Sequence, residues 1–320
     1  MRPRPAVGDY PIASPFVPTV YFVGVTTRQS SIMKVFPLWV RELGRPELVI
    51  EGIDLAPHAD RACYRQIVAR IKADPLALGA LVTTHKIDLS EAARDLFDTL
   101  DPYAQICTEV SCISKRDGML VGHAKDPQTA GLSLDAVLGQ GYFRTGGEVL
   151  CFGAGGAAVA IALHLIDKPE PADRPRRFVV VNRSPGRLER LGTMVARLST
   201  DIQFEYICNA EPERNDRIMA GMPARSLVIN ATGMGKDRPG SPVTRAALFP
   251  MNGVAWELNY RGELGFLHQA AAQQVARSVT VEDGWLYSLY GWTQAMAEML
   301  GIEIGQEQFV RLAEIATRVR

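Results

Sequence analysis

The chain has 320 residues, 47% of them hydrophobic, and its 35 lysines and arginines balance 35 aspartates and glutamates. That length suits two domains of ordinary size with full cores. The neutral balance leaves no electrostatic case for nucleic acid or for an anionic membrane surface. No stretch approaches the ~20 uninterrupted apolar residues of a membrane span, and Met1-Arg2-Pro3-Arg4-Pro5 lacks an apolar signal core. The five cysteines, Cys63, Cys107, Cys112, Cys151 and Cys208, are scattered and form no C-x-x-C pair. That spacing points to neither a zinc site nor a disulfide framework, so the expected setting is the reducing cytoplasm.

In chain order, Thr19 to Gly24 reads as a buried strand, followed by the polar loop Val25–Ser31 and a helix over Ile32 to Leu43. Leu48–Ile50 is a short strand. Arg61 to Ala73 is a helix, with Tyr64, Ile67, Val68 and Ile71 at helical spacing. Leu78–Val82 is a strand running into Thr83-Thr84-His85-Lys86, and Leu89–Leu100 a helix. Val110–Ser114 and Met119–Gly122 form two strands about a turn at Lys115–Gly118, after which comes Gly122-His123-Ala124-Lys125-Asp126. The alternation predicts a mixed or parallel sheet. Leu132–Leu138 is helical and leads to a second run of strands at Val149, Phe178–Val181, Phe204–Ile207, Ser226–Asn230 and Val254–Leu258. A helix over His268–Arg277, a short strand Val279–Val281 and two closing helices, Leu286–Leu300 and Gln306–Val319, complete the chain.

The most informative stretch is Val149-Leu150-Cys151-Phe152-Gly153-Ala154-Gly155-Gly156-Ala157-Ala158. A strand, a glycine turn and an alanine-rich helix in that order form a dinucleotide-binding turn. Gly153 permits the sharp turn, Gly155 permits close approach to a pyrophosphate, and small Ala158 packs helix on strand. The pyrophosphate would rest on the helix N-terminus. An NAD site ends its second strand in an acid for the ribose 2′-hydroxyl. Here that strand ends in Asn182-Arg183-Ser184-Pro185-Gly186-Arg187, and Arg183 and Arg187 suit a 2′-phosphate that a carboxylate would repel. The residues argue for NADP. His123 and His268 lack partners at ligand spacing, so no metal is expected.

Taken together, these segments resemble the shikimate dehydrogenase family over nearly the whole chain. Gly24–Ser30 resembles its first substrate loop, Gly79–Lys86 the segment ending in the catalytic lysine, and Gly122–Asp126 its G-x-N-T-D. Gly153–Ala158 resembles G-A-G-G-A, Asn182-Arg183-Ser184 with Arg187 resembles N-R-S/T-x-x-K/R, and Asn230-Ala231-Thr232 with Gly235 resembles N-A-T-x-x-G. Asp283-Gly284 precedes the C-terminal helix as in the family.

The resemblance implies a two-domain α/β fold. Residues 1–127, joined by the helices of 286–320, would bind substrate, and residues 128–285 would be a Rossmann-type NADP domain with a cleft between the two. It implies hydride transfer between NADP and a ring hydroxyl of shikimate or a related cyclic hydroxy acid. Lys86 would exchange the alcohol proton and Asp126 would hold the hydroxyl and the ammonium. Ser30, Thr83, Ser111, Tyr260 and Gln294 would contact substrate. Gly153, Ala154, Gly155, Gly156, Ala157, Asn182, Arg183, Ser184, Arg187, Thr232 and Met234 would contact cofactor. The protein would be a monomer or homodimer.

The departures fall on the substrate side. The family's Ser-x-Ser becomes Ser30-Ser31-Ile32, the segment before Lys86 is one residue short and lacks its proline, Ser111 replaces an asparagine, Ala124 another, and Gly291 stands at a usual glutamine, with Gln294 one turn on. Asn259, Tyr260 and Arg261 are further candidates for the substrate cleft, as are the aromatic residues around Trp285, and His85 could be a second acid–base group. The pattern implies the same reaction class with an altered substrate. Alternatives are a quinate or cyclitol dehydrogenase, a folate- or pterin-linked dehydrogenase, or a catalytically impaired NADP-binding regulator.

Overall fold

The computed structural model describes residues 16–236 and 238–320, so the N-terminal stretch Met1–Pro5 lies outside the described residues. The chain divides into two compact units, residues 1–125 with 291–320 and residues 126–290.

The first unit opens with β1 (Thr19–Gly24), α1 (Ile32–Glu42), β2 (Val49–Asp54), α2 (Arg61–Ala73), β3 (Ala77–Val82) and α3 (Lys86–Ala93). β4 (Thr99–Leu100), α4 (Pro102–Cys107), β5 (Cys112–Arg116) and β6 (Met119–His123) follow. Its sheet has the order β2-β1-β3-β5-β6-β4. β1 pairs parallel with β2 and β3, whereas β5 is antiparallel to both β3 and β6. The mixed sheet expected from the alternation is therefore present. The apolar stripe of α2 (Tyr64, Ile67, Val68, Ile71) is buried with Tyr21, Val23, Ala80 and Val82 in one core, as the helical spacing requires.

The second unit runs α5 (Asp126–Leu138), β7 (Val149–Phe152), α6 (Gly156–Asp167), β8 (Arg177–Asn182), α7 (Pro185–Val195), β9 (Gln203–Cys208) and α8 (Pro212–Ala220). It ends with β10 (Leu227–Asn230), β11 (Val254–Glu257), α9 (Gly265–Ala271), α10 (Gln274–Arg277) and β12 (Thr280–Glu282). The sheet order is β12-β11-β10-β7-β8-β9, parallel at every pair. Side chains alternate between two cores. Val149, Cys151, Phe178, Val180, Leu227 and Ile229 pack with α5, α6 and α7. Leu150, Phe152, Val179, Val181 and Val228 pack with Met219 of α8 and Phe266 of α9. Burial on both faces explains why these strands read as unbroken apolar runs. The strand order reverses direction at β7, which places a topological switch point at the carboxyl ends of β7 and β10.

α11 (Trp285–Leu300) contains the boundary between the units, and α12 (Gln306–Thr317) returns to the first. There Trp39 of α1 donates its Nε1–H to the Leu312 carbonyl at 2.7 Å, and its ring meets Trp292 edge-on. Among the described residues, no helix is long and apolar enough to cross a membrane.

Three expectations are corrected. The helix expected to run to Leu100 stops at Ala93, because Asp98 is drawn to the sheet edge. Its backbone N–H donates to the Leu120 carbonyl, and its side chain accepts from the Leu120 N–H at 2.7 Å. The single helix expected over His268–Arg277 is two, α9 and α10. Between them Gln273 turns its side chain to the 247–249 loop, accepting from the Phe249 N–H and donating to the Ala247 carbonyl. Finally α4, α7 and α8 each begin with proline at the first position, where the missing N–H costs nothing. The sequence reading assigned no helix at any of these three places.

Candidate functional site

In the first unit, the candidate residues gather at the carboxyl ends of β1 and β3. The loop after β1 is pinned by Asp54 at the end of β2, whose Oδ1 accepts from the Thr27 backbone N–H at 2.7 Å and hydroxyl at 2.6 Å. Ser30 follows, half-buried, and Ser31 becomes the N-cap of α1. Thr83 continues β3, its backbone N–H donating to the Val23 carbonyl at 2.9 Å.

The shortened segment before Lys86 closes through a tight turn. The His85 N–H donates to the Thr83 carbonyl, and Thr84 takes φ 47°. A β-branched residue in the left-handed region stores backbone strain, which is characteristic of functional turns. Lys86 is the first residue of α3. Beside it His85 is fully buried. Its Nδ1 lies 3.0 Å from the Tyr64 hydroxyl, which donates to Asp88 at 3.4 Å, and Asp88 meets the exposed His58 at 3.1 Å. Burial holds the His85 imidazole below its ordinary pKa, against the carbonyls of Gly24 and Leu55 and the Asp88 charge. Burial, with Asp88, raises the Tyr64 phenol to about 12. Burial thus favours the neutral imidazole of His85.

Ser111 is buried, with its hydroxyl accepting from the Lys125 N–H at 2.8 Å and directed at the His123 carbonyl. Lys125, at the threonine position of G-x-N-T-D, donates its ammonium to Glu298 of α11 at 2.6 Å. Gln294 is half-buried on the same helix. Asp126 is the first residue of α5 and belongs to the second unit.

In the second unit, the turn after β7 has the geometry that the glycines permit. Gly153 takes φ 111°, and a Cβ built there would lie 2.5 Å from the Ala231 carbonyl oxygen. Ala154 is buried below the turn. Gly155 is the N-cap of α6, has open space where a Cβ would be, and contributes no side-chain cap. Gly156 and Ala157 open α6. The N–H groups of this helix end have no side-chain acceptor, so the cradle fits a pyrophosphate.

At the end of β8, Asn182 donates its amide to the Ser184 carbonyl at 3.2 Å, shaping a turn that leaves Arg183 and Arg187 exposed and Ser184 half-buried at the N-cap of α7. These residues fit the phosphorylated ribose of NADP. Thr232 and Met234 lie in the turn after β10, where the Thr232 hydroxyl donates to Asn230 Oδ1 at 2.6 Å and accepts from the Met234 N–H at 3.1 Å. The Tyr260 ring packs on Trp285 at 5.3 Å.

Glu257, at the end of β11, is the feature that sequence reasoning missed. It is fully buried, and burial, reinforced by Asp283, raises its carboxyl to about 7 against the N–H groups of Asn259 and Asn230. The available signal was pairing, since parallel β10 and β11 end together with Asn230 opposite Glu257. Asn259, expected toward substrate, instead turns its amide back to Glu257 at 2.6 Å.

A raised carboxyl pKa means that the folded chain keeps a proton that the unfolded chain gives up. Stability from this group is thus present at low pH and lost as pH rises from about 4.5 to about 7. The expected loss is on the order of 3 kcal/mol, and it should vanish in Glu257→Gln when denaturant melts of the two proteins are compared across that window. Parallel curves would refute it.

No family model matches the chain. Among curated proteins it is 32% identical over 187 residues to an NADP shikimate dehydrogenase of Symbiobacterium thermophilum, covering 58% of this chain and 60% of that one. It is 33% identical over 204 residues to one from Xanthomonas euvesicatoria, covering 63% and 65%. The match thus spans less than two thirds of either relative's length. Solved structures share the fold. A shikimate dehydrogenase in complex with NADP+ superposes with TM-score 0.70 at 19% identity, covering 95% of this chain and 96% of that one. Quinate dehydrogenase from Corynebacterium glutamicum, in complex with NAD, gives 0.71 at 18%, covering 94% and 98%. A 5-ketofructose reductase of Gluconobacter gives 0.68 at 18%, covering 94% and 98%. These structures show that the chain has the two-domain Rossmann-type α/β fold.

Proposed function

We propose that this protein is an NADP-dependent dehydrogenase of the shikimate type, interconverting a ring hydroxyl and ketone on shikimate or a related cyclic hydroxy acid. The first unit would bind substrate and the second the cofactor. The observation that carries the reading is the pairing of the open α6 N-terminus with Arg183 and Arg187 beyond β8, where an NAD site would place an acid. The names of the curated relatives support the same cofactor and reaction. The glycine turn and α6 would hold the pyrophosphate, and the arginines the 2′-phosphate. When bound, the cofactor supplies or accepts the hydride. The chain's own part is the proton. Lys86 would exchange it with the substrate oxygen, and Asp126 would orient that hydroxyl. Burial of His85 beside Lys86 favours its neutral form, which leaves the lysine as the cationic proton donor in this reading.

Changing Arg183 and Arg187 together to alanine tests the cofactor assignment. A charge-assisted bond is typically worth ~1.5–3 kcal/mol, so with both arginines removed NADP+ affinity is expected to fall about a hundredfold or more, with NAD+ binding little changed. Equal losses for the two nucleotides, read by calorimetric titration, would refute the assignment.

The substrate should differ from, or be held more loosely than, that of a biosynthetic enzyme. One serine of the Ser-x-Ser pair is displaced, and the Ser111 hydroxyl is engaged with the β6 backbone and the Lys125 N–H. A panel of shikimate, quinate and 5-ketofructose with NADP(H) distinguishes the possibilities. A Michaelis constant for shikimate well above the micromolar range is expected, and tight saturation with fast turnover would show that the losses are compensated. A cytoplasmic enzyme, as a monomer or homodimer, completes the reading.

A further inference from the structure

Asn230, Glu257 and Asn259 form a closed hydrogen-bonded knot at the ends of β10 and β11. Asn230 donates its Nδ2 to Glu257 Oε2 at 2.6 Å. Asn259 donates both its backbone N–H, at 2.9 Å, and its Nδ2, at 2.6 Å, to Glu257 Oε1. The same two amides also reach the Met234 carbonyl, at 3.4 Å from Asn230 and 3.2 Å from Asn259. On its other side, Asn230 Oδ1 accepts from the Thr232 N–H at 3.2 Å and from the Thr232 hydroxyl at 2.6 Å. The side-chain bonds that hold Thr232 and the Met234 carbonyl therefore lead, through the Asn230 and Asn259 amides, to the Glu257 carboxylate, while the backbone of the turn is also tied by the Ala231 N–H to the Phe152 carbonyl and by the Leu258 N–H to the Asn230 carbonyl.

The amide orientations are forced. The backbone N–H of Thr232 requires an acceptor, so Asn230 must present its oxygen there and its nitrogen to Glu257. Asn259 faces two acceptors, Glu257 and the Met234 carbonyl, and so must present its nitrogen. All three groups converging on Glu257 are donors, an arrangement that suits a carboxylate and conflicts with a carboxylic acid. Asn230 cannot turn to accept a proton from Oε2 without abandoning Thr232, and a neutral carboxyl accepts from these three donors more weakly than a carboxylate does. Protonation therefore loosens the hold of Glu257 on both amides. Among the described residues, the charged group bearing on Glu257 is Asp283, beyond β12, and its negative charge favours the proton.

We propose that Glu257 is a positioning residue for the Asn230–Gly235 turn: its carboxylate draws the Asn230 and Asn259 amides together under Met234, and taking up a proton releases the turn. The burial-raised pKa puts this change near neutral pH. That the turn faces NADP rests on the reading above, whereas its linkage to Glu257 does not.

The test is amide hydrogen exchange in the full chain without nucleotide, followed residue by residue by NMR at pH 6 and pH 8 and corrected for intrinsic rates. The Thr232 and Met234 amides are expected to lose protection about tenfold or more at pH 6. In Glu257→Gln, which places an NH2 donor among donors, protection should be low at both pH values. Glu257→Asp, which keeps the charge, should retain the pH response. Protection equal at both pH values in the unmodified protein overturns the proposal, and that comparison does not need either variant to fold. NADP+ titrations of the same samples separate the two claims. Affinity is expected to fall with protection on acidification, beyond the drop shared with Glu257→Gln that arises from the nucleotide's own phosphate. A turn that responds to pH in a protein binding no NADP+ would uphold the positioning role and refute the cofactor reading. NADP+ bound with unchanged protection would do the reverse.

Discussion

Replacing Lys86 with alanine is expected to lower turnover by two orders of magnitude or more, while NADP+ affinity stays within about twofold. The first figure follows from the proposed role of Lys86 as a general acid–base group, typically worth ~10²–10⁴-fold. The second follows from chain position, since Lys86 opens α3 in the first unit and the residues proposed to bind the nucleotide lie in the second. Its setting sharpens the expectation. The tight turn at Thr84 and the buried His85 fix where α3 begins, so the lysine stem starts from a defined point. His85 is the competing candidate. It is buried and is linked through Tyr64 and Asp88 to His58 at the surface. Full activity in Lys86→Ala, read by steady-state kinetics across pH, would move the proton transfer to that chain.

The second large effect is expected at Gly153. An alanine there must adopt φ 111°, a conformation that L-residues rarely take, and must fit a Cβ 2.5 Å from the Ala231 carbonyl oxygen. The obstacle is backbone, so no side chain can swing away. The turn has to open, and the Ala231 N–H that donates to the Phe152 carbonyl at 2.7 Å is the bond most directly strained. A destabilisation of about 2–4 kcal/mol is expected from strain and overpacking together, with NADP+ affinity reduced ~100-fold or more because the α6 N-terminus no longer meets the pyrophosphate in register. Thermal melts and nucleotide titration read the two effects separately. Gly155→Ala, with open space at its Cβ, serves as the contrast and should keep most of its stability. A Gly153→Ala protein as stable as the parent would show that the turn is more pliable than its contacts imply.

Local chemistry was legible in the sequence wherever one segment carried the whole signal. The stripe of α2 sets its own period, the glycine turn after β7 needs residues without Cβ, and the absence of an acid after β8 is visible in six consecutive residues. The unbroken apolar runs of β7, β8 and β10 likewise announce a sheet covered on both faces. Even the shortened segment before Lys86 could be counted, although its closure by Thr84 in the left-handed region could not be.

What only the tertiary structure decided is everything that depends on two distant segments meeting. Asp98 ends a helix early because the backbone of Leu120 competes for it across the sheet edge. Ser111 looks like a free hydroxyl in the sequence, but in the fold it is engaged with the backbone of β6 and with the Lys125 N–H. Glu257 ends an apolar strand, and nothing local distinguishes it from a solvated residue. Its burial, its raised pKa and its hold on the turn after β10 exist only because parallel pairing sets Asn230 beside it. Propensity and turn chemistry act over a few residues and can be read along the chain. Desolvation and hydrogen-bond competition are set by which groups share a volume, and that is fixed only when the strands take their order in the sheet.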